Sequence, residues 1–372
     1  AGNVSQFRQK YDLIKNRLIN DFHHANDAYL NVVVGNTYYV KFTKNPMNFV
    51  REYDRDPSKN QYHMYKLFDY NVARGSEIAW IADGNKSISI VKRVMRRNTP
   101  LVTRMSYEAH GGLTKQQIKK ASEAATGTGY IPIKESDNRL HNVARYGGFI
   151  KYLGTYFFLV EHTVKGKRIR TIEAMPLYLK DKLNTVTKMA EYCKNELGYV
   201  EPVIRLEKIK MYAKIKVNGY PLYLTGRTGD RLLVSSAAQV ILDYEQSRYI
   251  KFFDLGFDNS KADIEMNLAI YDALTDKYKN GIFRLRPNPI GDKLSAGRDK
   301  FVALSMEDQI DIIKNILQLT VHNQGVDLRK IGESKKAGTM KLSNNISNCE
   351  NIEVLNESIT GIFVNKINLL EI

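Results

Sequence analysis

The stretch FHHANDAYLNVVVGN, residues 22–36, places two histidines and an aspartate directly before an apolar run. If the stretch is helical, His24 and Asp27 lie one turn apart on the same face, and His23 points about 100° away. An imidazole beside a carboxylate can bind a divalent metal and position or deprotonate a water, as phosphodiester hydrolysis requires. A plain helix with polar residues on its solvent side has the same spacing. A two-metal site needs more carboxylates than this stretch supplies, so the stretch predicts half of such a site at most.

Composition and charge favour a folded protein that binds a polyanion. The 372 residues are 43% hydrophobic and 10% aromatic, which is typical of a globular chain long enough for two or three domains. The 56 Lys and Arg residues exceed the 40 Asp and Glu residues and give a net charge of +16. No apolar run approaches the roughly 20 residues of a membrane span, so the charge indicates nucleic acid rather than an anionic membrane as the partner.

The two cysteines, Cys193 and Cys349, predict neither a disulfide framework nor a structural zinc site. They lie far apart and have no CxxC spacing. A reducing compartment is the expectation that follows.

The first hundred residues are predicted to begin with a long helix. Residues 4–35 contain no proline and repeat apolar positions at three- and four-residue steps, with Gly35 as the expected C-cap. Further on, EIAW (residues 77–80) and SISIVKRVM (residues 87–95) have the composition of strands. Asp83-Gly84 is the expected turn between them.

A change to basic, Gly-rich sequence near residue 101 predicts a domain boundary, beyond which the chain is expected to be α+β with antiparallel strands. KGKR, residues 165–168, predicts a hairpin tip. Between residues 206 and 217 apolar residues roughly alternate with lysines, which indicates one half-buried strand. Helices are predicted over residues 178–198 and 305–325.

Several motifs, in collinear order, resemble the RNA-guided DNA endonucleases of type II-A CRISPR systems (Cas9). The double histidine, the aspartate and AYLNVVVG resemble the third RuvC segment of that family. SEIAW and VKRVM resemble the end of the nuclease domain, and EAHGGLTKQQI resembles the segment that leads into the phosphate-lock loop. RYGGF, LYLTGRTGDRLLVSSAAQ and NESITGIF resemble the C-terminal domain. The resemblance extends over essentially the whole chain.

The resemblance implies a fold of class α/β plus α+β. A partial RNase H-like (RuvC) segment is expected over residues 4–101, followed by a mostly antiparallel, β-rich PAM-interacting domain over residues 102–372. That domain is expected to divide into residues 102–200, with the phosphate-lock loop, and residues 201–372, with the PAM-reading hairpin. Residues 1–3 are expected to be an artificial junction, and the chain is expected to be the C-terminal part of a larger protein that also has two further RuvC segments, a helical lobe and an HNH domain.

For the nuclease site, the resemblance implies that His24 activates or positions the attacking water and that His23 supports it. His24 and Asp27 are expected to form one wall of a two-metal Mg²⁺ site, with Asp27 as the metal-binding carboxylate. The remaining acidic ligands belong to segments outside this chain, so the isolated chain is not expected to cut DNA. No organic cofactor is expected.

The resemblance also implies four groups of nucleic-acid contacts. The phosphate lock, which holds the target strand next to the PAM, falls on Thr114, Lys115, Gln116 and Gln117. PAM reading falls on Thr339, Lys341 and Ser343, which alternation along a strand would aim to one side, and on Asn344, with Asn344 or Asn345 expected in the turn. Contacts to the DNA backbone fall on Arg329, Lys330, Lys335 and Lys336. Contacts to the guide RNA fall on Lys92, Arg93, Arg96, Arg97, Arg104, Arg139, His141 and Arg145. An ordinary Gly-Gly turn would explain the phosphate-lock group without any ligand. A solvated basic surface would do so for the guide-RNA group.

The expected PAM-reading hairpin, KKAGTMKLSNNISN, contains no arginine. Members of the family that read paired guanines use two arginines, because an arginine fork matches O6 and N7 of guanine. Lysine can contact guanine, asparagine adenine and serine either base, so the sequence predicts a different and longer PAM.

Together these inferences predict the C-terminal part of a Mg-dependent, RNA-guided DNA endonuclease that helps to cut the non-target strand. Its expected partners are guide RNA (crRNA and tracrRNA), target DNA with a PAM and acidic anti-CRISPR proteins, in the bacterial cytoplasm. One open alternative is a self-sufficient nuclease, which the shortage of acidic residues around His24 and Asp27 disfavours. The other is a stand-alone basic nucleic-acid-binding module without catalysis, which would bind any duplex with a steep salt dependence.

Overall fold

Two units make up the part of the chain that can be described. The computed structural model describes residues 2–42, 64–97, 100–112, 118–119, 131–132, 142–149, 153–253, 259–286, 289–321, 325–333, 335–336 and 340–372. The first unit consists of Ala1–Val102, Gln239–Ala273 and Lys300–Leu317. The second consists of Thr103–Ala238, Leu274–Asp299 and Gln318–Ile372. The first unit thus includes two stretches from the later part of the chain, which the sequence did not indicate.

The elements follow one another as short helices and strands. The helices of the described residues are Gly2–Tyr11 (α1), His23–Phe42 (α2), Met64–Leu67 (α3), Lys86–Arg97 (α4), Val143–Tyr146 (α5), Val186–Asn195 (α6), Tyr244–Phe252 (α7), Ile264–Asn280 (α8), Gly291–Ala296 (α9), Arg298–Val302 (α10) and Met306–Val321 (α11). The strands are Val72–Arg74 (β1), Glu77–Trp80 (β2), Ile118–Lys119 (β3), Ile131–Pro132 (β4), Gly148–Phe149 (β5), Gly154–Val164 (β6), Lys167–Pro176 (β7), Val200–Lys210 (β8), Lys214–Val217 (β9), Tyr220–Thr228 (β10), Arg231–Ser236 (β11), Val326–Asp327 (β12), Lys335–Lys336 (β13), Met340–Ser343 (β14), Ile352–Glu357 (β15) and Val364–Asn368 (β16).

Four aromatic side chains form the centre of the first unit. The ring centroid of Phe7 lies 4.6 Å from that of Phe68, 5.6 Å from that of Trp80 and 4.9 Å from that of Tyr11. Trp80 is 2% exposed and donates its indole N–H to the carbonyl oxygen of Phe68 at 3.1 Å. Helix α2 packs on the β1–β2 hairpin and adds Leu30 to this core, so the helix that carries the histidines is fixed by the same cluster.

The helix predicted over residues 4–35 is wrong in its bounds, because the chain forms two helices there. Helix α1 ends one residue before Asp12, which adopts a left-handed conformation with a φ of 51°. Aspartate tolerates this conformation better than most residues, and it stops the helix. Helix α2 begins at the first histidine and passes through Gly35, which is therefore not a C-cap. Residues 12–22, called the entry loop here, separate the two helices.

The segment SISIVKRVM, residues 87–95, lies in helix α4, so the predicted strand is wrong. Its β-branched residues favour a strand, but Ile88, Val91 and Met95 repeat at helical steps and pack on the aromatic core. The predicted strand EIAW is confirmed as β2, which pairs with β1 in an antiparallel hairpin. Gly84 has a φ of 61° in the turn that follows β2, where the sequence predicts one.

Antiparallel sheets dominate the second unit, as the sequence predicts. One sheet has three strands in the order β7-β6-β8, and another has six in the order β14-β11-β10-β9-β15-β16. Lys165 and Gly166 both have a positive φ and form the two-residue turn of the β6–β7 hairpin, at the tip that KGKR predicts. Asn218 and Gly219 form the matching turn between β9 and β10. The predicted fold class, a mixed helical part followed by an antiparallel β-rich part, is confirmed.

Two finer predictions in this unit need correction. The single strand expected between residues 206 and 217 is two strands, β8 and β9, which belong to different sheets because the chain turns at Met211–Ala213. The helix expected over residues 178–198 is limited to α6, whose N-cap is Thr185.

The helix predicted over residues 305–325 is confirmed as α11. The Ser305 hydroxyl accepts the backbone N–H of Asp308 at 3.2 Å and caps the first turn. Helices α7 and α8 were not predicted from the sequence. Within the described ranges, none of the helices combines the length and the apolar character needed to cross a bilayer.

Replacing Phe7 by alanine should destabilise the first unit by about 3–5 kcal/mol, because a buried aromatic side chain is removed from the ring cluster. Trp80 is the single tryptophan of the chain and belongs to this cluster, so its fluorescence during urea unfolding measures the effect. Tyr70→Ala is the control, since Tyr70 is 70% exposed in the same unit. An unfolding midpoint for Phe7→Ala equal to that of the control would contradict this packing.

Candidate functional site

The two histidines lie at the beginning of α2, where the entry loop becomes helical. The backbone N–H of His24 donates to the carbonyl oxygen of Asp21 at 3.1 Å, and His23 Nδ1 lies 3.0 Å from the carbonyl oxygen of Asn20. The two imidazole rings are 4.1 Å apart between centroids and tilted by 37°. Burial lowers the pKa of His23, although the carbonyl contact acts in the opposite direction. The contact with the Asn20 carbonyl oxygen fixes the orientation of the His23 ring relative to the loop before it.

Asp27 is held by two cations from different elements. Arg8 of α1 donates from Nη2 at 2.6 Å and from Nε at 3.1 Å to Asp27 Oδ1. Lys15 of the entry loop donates to Asp27 Oδ2 at 2.5 Å. Burial alone would raise the pKa of Asp27, but the hydrogen bonds and charges of Lys15 and Arg8 outweigh it and lower the pKa. Arg8 also donates to the carbonyl oxygen of Ile14 at 2.9 Å, so it links the loop backbone to the carboxylate.

The described residues do not fit a complete divalent-metal site. Nowhere in the described part of the chain do three or more His, Cys, Asp or Glu side chains come together as metal ligands. Both oxygens of Asp27 accept hydrogen bonds from cationic side chains. His23, His24 and Asp27 all belong to α2, where both carboxylate oxygens of Asp27 are engaged by Arg8 and Lys15.

A cavity of about 350 Å³ opens beside His23 in the first unit. Its walls come from the entry loop, from α4 and from the stretch of chain that leads into α7. Lys92 and Arg96 of α4 line the same cavity, and the Arg96 guanidinium lies 4.6 Å from the ring centroid of Tyr244. Lys92 and Arg96, which are predicted to bind RNA, thus line the same cavity as His23, which is one of the predicted catalytic histidines.

The other predicted RNA contacts are dispersed. Arg93 lies beside Lys92 and Arg96 on α4, where Arg93 and Arg96 are exposed and Lys92 is half-buried. In the second unit, Arg104 lies over the Tyr223 ring at 5.4 Å, and the Arg145 guanidinium lies over the ring of its neighbour in α5. The side chain of Arg97 and residues Arg139 and His141 lie outside the described residues, as do the phosphate-lock residues Thr114, Lys115, Gln116 and Gln117.

The PAM-reading prediction falls on strand β14. Lys341 and Ser343 are exposed, while Met340 is 2% exposed, so the alternation that the sequence predicts is present. Thr339 lies outside the described residues. The expected hairpin is wrong in its pairing, because β14 pairs with β11 while β13 pairs with β12. Strand β14 is an edge strand of the six-stranded sheet, and Lys341 and Ser343 lie on its exposed face.

Asn344 is buried, contrary to its predicted place in an exposed turn. It is 7% exposed, and its Nδ2 donates to Glu173 Oε1 at 3.1 Å. Tyr199 donates its hydroxyl to the same oxygen at 2.5 Å, and Arg227 forms an ion pair with Glu173. Burial raises the pKa of Glu173 in spite of these partners. Asn344 holds the end of β14 on this carboxylate, so its amide does not face a base from the surface.

Among the predicted DNA-backbone residues, the structure describes the side chains of Arg329 and Lys330. Arg329 makes a bidentate contact to Asp327, with Nη2 at 2.7 Å and Nε at 3.0 Å from Oδ2. Lys330 is exposed. The side chains of Lys335 and Lys336 lie outside the described residues, although their backbone forms β13. An arginine already paired with a carboxylate has less attraction for phosphate than its charge suggests.

Another carboxylate with arginine partners, Glu161, was not predicted from the sequence. Glu161 of β6 accepts from Arg205 at 2.9 Å, Arg170 at 3.0 Å and Arg168 at 3.0 Å. The hydrogen bond from Arg205 is the largest of the effects that lower the pKa of Glu161 to about 2, and the other two arginines add to it. A glutamate inside the apolar run YFFLVEHTV is the signal that could have indicated it, since a buried acid there needs cationic partners.

The double-mutant cycle of Arg8→Met and Asp27→Asn should give a coupling free energy of unfolding of about 1–3 kcal/mol, because Arg8 is 7% exposed and loses its charged partner inside the unit. Urea unfolding followed by Trp80 fluorescence measures each variant. The matched cycle of Lys10→Met and Asp27→Asn should show no coupling, since Lys10 pairs with Asp69 instead. Equal coupling in the two cycles would contradict the assignment of Arg8 as the partner of Asp27.

Sequence comparisons agree with the order of the two parts. Residues 1–104 match a family model described as the Cas9 RuvC domain, which implies a divalent metal in general. Residues 110–365 match the PAM-interacting domain of CRISPR-associated endonuclease Cas9.

Curated relatives have the same name. The chain is 28% identical over 189 residues to CRISPR-associated endonuclease Cas9 of Streptococcus mutans serotype c, across 46% of this chain and 14% of that protein. It is 26% identical over 247 residues to the protein of that name from Listeria innocua serovar 6a, across 63% of this chain and 17% of that protein. The chain thus spans less than a fifth of either relative. Because the PAM-interacting model alone matches residues 110–365, well over half of the chain, the chain belongs to the Cas9 family.

Proposed function

We propose that the chain is the C-terminal part of an RNA-guided DNA endonuclease, in which it recognises the PAM duplex and the guide-RNA scaffold and forms one wall of the RuvC nuclease site. The observation that carries the proposal is the collinear pair of family matches, RuvC over residues 1–104 and PAM-interacting over residues 110–365. The net charge of +16 supports polyanionic partners, and crRNA, tracrRNA and PAM-containing DNA are the ones proposed.

In the nuclease site, His24 is the proposed proton acceptor for the attacking water, and His23 supports its orientation. The contact of His23 Nδ1 with the Asn20 carbonyl oxygen, and the close approach of the two rings, support these roles. Asp27 is the proposed metal-binding carboxylate, and Mg²⁺ is the proposed metal. The described residues supply too few acidic groups for that ion, so the further ligands are proposed to come from other parts of the whole protein. The isolated chain is then inactive.

At the PAM-reading face, Lys341 and Ser343 are the proposed base contacts, with Thr339 beside them. Both side chains are exposed on the edge strand β14, which supports the proposal. Residues two apart on a strand point to the same face, so the two side chains can enter one groove together. The burial of Asn344 supports a role in holding β14 rather than in contacting DNA. The phosphate-lock, DNA-backbone and RNA-binding residues named above remain proposals, as do acidic anti-CRISPR partners and a bacterial cytoplasmic location.

Replacing His24 by alanine in the guide-loaded full-length protein should slow cutting of the non-target strand roughly 100-fold or more, because a positioned acid–base group contributes that much. Cutting of the target strand should continue. Denaturing gels with the two strands labelled separately measure both rates. His110→Ala is the control, since His110 is exposed in the second unit. Equal losses on both strands would count against the assignment.

Replacing Lys341 by alanine in the same guide-loaded protein should change the motif selected from a randomised PAM library, because the loss of one base contact relaxes discrimination roughly tenfold or more at that position. Sequencing of the bound or cut library measures the change. Lys366→Ala is the matched control, since Lys366 is an exposed lysine on β16 at the other edge of the same sheet.

A uniform loss of affinity with an unchanged motif would assign Lys341 to a phosphate instead. Binding of every duplex with equal affinity by the unmutated guide-loaded protein would favour the alternative function, a basic nucleic-acid-binding module without PAM recognition.

A further inference from the structure

Residues 239–248, called the brace here, belong to the first unit although they lie inside the PAM-interacting match over residues 110–365. Two residues separate them from the end of strand β11, and they run into helix α7. Their hydrogen bonds within the first unit go to the entry loop, which leads directly into the histidines. The brace therefore gives the nuclease part of the chain a component that sequence matching assigns to the other domain.

Two asparagines of the entry loop hold the brace in the same way. Asn16 Oδ1 accepts the backbone N–H of Leu18 at 2.9 Å, and its Nδ2 donates to the carbonyl oxygen of Ser247 at 3.0 Å. Four residues on, Asn20 Oδ1 accepts the N–H of Phe22 at 3.1 Å, and its Nδ2 donates to the carbonyl oxygen of Val240 at 2.8 Å. Each side chain thus shapes a local turn with its oxygen and binds the brace with its nitrogen.

Further contacts join the same two segments. Gln239 Oε1 accepts the backbone N–H of Asp21 at 2.9 Å. Tyr244 donates its hydroxyl to the carbonyl oxygen of Asp12 at 3.2 Å, and Arg248 Nη2 lies 2.8 Å from the Asp12 carboxylate. The contacts therefore reach from the first to the next-to-last residue of the entry loop.

The entry loop carries the groups that orient the proposed site. Lys15 donates to Asp27, and the carbonyl oxygens of Asn20 and Asp21 contact His23 and His24. A loop of this kind, free of regular secondary structure, has many accessible conformations, and cross-segment hydrogen bonds select one of them. The positions of the histidine rings consequently depend on the contacts between the loop and the brace.

We propose that the brace is a positioning element of the nuclease wall. The positioning residues are Asn16 and Asn20 of the entry loop and Gln239 of the brace. The role in catalysis rests on the proposed function, whereas the structural dependence of the histidines on the brace does not. In the contacts above, the side-chain amide groups of these three residues touch neither the histidine side chains nor Asp27. Their proposed effect is therefore on the geometry of the entry loop.

The test is the pair of substitutions Asn16→Asp and Asn20→Asp, introduced together in the 372-residue chain. Each change keeps the oxygen that accepts the local N–H and replaces the donor to the brace by an oxygen that repels the carbonyl. Asn348→Asp is the control, because Asn348 is exposed in the second unit and undergoes the same type of substitution, with one new charge where the double variant has two. Gln239→Met, which removes the acceptor for the Asp21 N–H at similar size, is a second variant in case the double variant fails to fold.

The first readout is the ¹H–¹³C NMR spectrum of the histidine rings at one fixed pH. The chain has seven histidines, and the signals of His23 and His24 should shift or broaden in the brace variants while those of the others stay in place. In Gln239→Met, which loses the acceptor of the Asp21 N–H, amide exchange of Asp21 should accelerate roughly fivefold to tenfold. A purely structural role would instead lower the unfolding midpoint of the unit and leave the two rings in place.

The second readout is cutting by the guide-loaded full-length protein with the same substitutions. Non-target-strand cutting should slow about tenfold or more, with PAM binding and target-strand cutting unchanged, because misplaced catalytic groups lose rate. Unmoved ring signals with an unchanged cutting rate would overturn the proposal. Shifted ring signals in a protein whose unmutated form does not cut at a PAM would sustain the brace and contradict the proposed function.

Discussion

The carboxylate of Asp27 joins the three parts of the first unit on which the site depends. Arg8 reaches it from α1, Lys15 reaches it from the entry loop, and the aspartate itself belongs to α2. Because Arg8 is buried, a rearrangement that separates it from Asp27 would leave a charge inside the unit, which costs several kcal/mol. Charge pairing therefore fixes the relative placement of the two helices and the loop, while the aromatic cluster around Trp80 supplies the hydrophobic stabilisation. The histidines at the beginning of α2 take their position from this arrangement.

The second unit also pairs carboxylates with arginines, and there the carboxylates are buried. This pairing changes how the excess of positive charge should be interpreted. Glu161 engages three arginines, and Glu173 engages Arg227 beneath the end of strand β14. These arginines count toward the net charge of +16 but are oriented by internal partners. Counting cations along the sequence consequently overestimates how many are available to a phosphate backbone, and Arg329 with Asp327 is the same case at the surface. Exposed lysines such as Lys341 are better candidates for contacts to DNA.

Features set by local period and turn chemistry could be predicted from the sequence. The turn at Lys165-Gly166 and the alternation of strand β14 are of this kind. The predictions were wrong where distant contacts decide the outcome. Residues 87–95 have the composition of a strand, yet the core selects their helical period. Asn344 has the composition of an exposed turn, yet it donates to Glu173, which lies 171 positions away in the chain. The grouping of His23, His24 and Asp27 on one helix was predictable because it depends on local spacing alone.

The brace could not be predicted for a further reason, which concerns what each partner contributes. Val240 and Ser247 supply backbone carbonyl oxygens, and every residue type carries such an oxygen. Only the amide donors, Asn16 and Asn20, need a particular side chain. Substitutions at 240 and 247 that keep the backbone in place would leave both hydrogen bonds intact, whereas the loss of an amide donor would not. A segment of this kind tolerates sequence change at positions where its structural role is large. Domain limits drawn from sequence matches therefore divide the chain at a different place from the limits drawn from contacts.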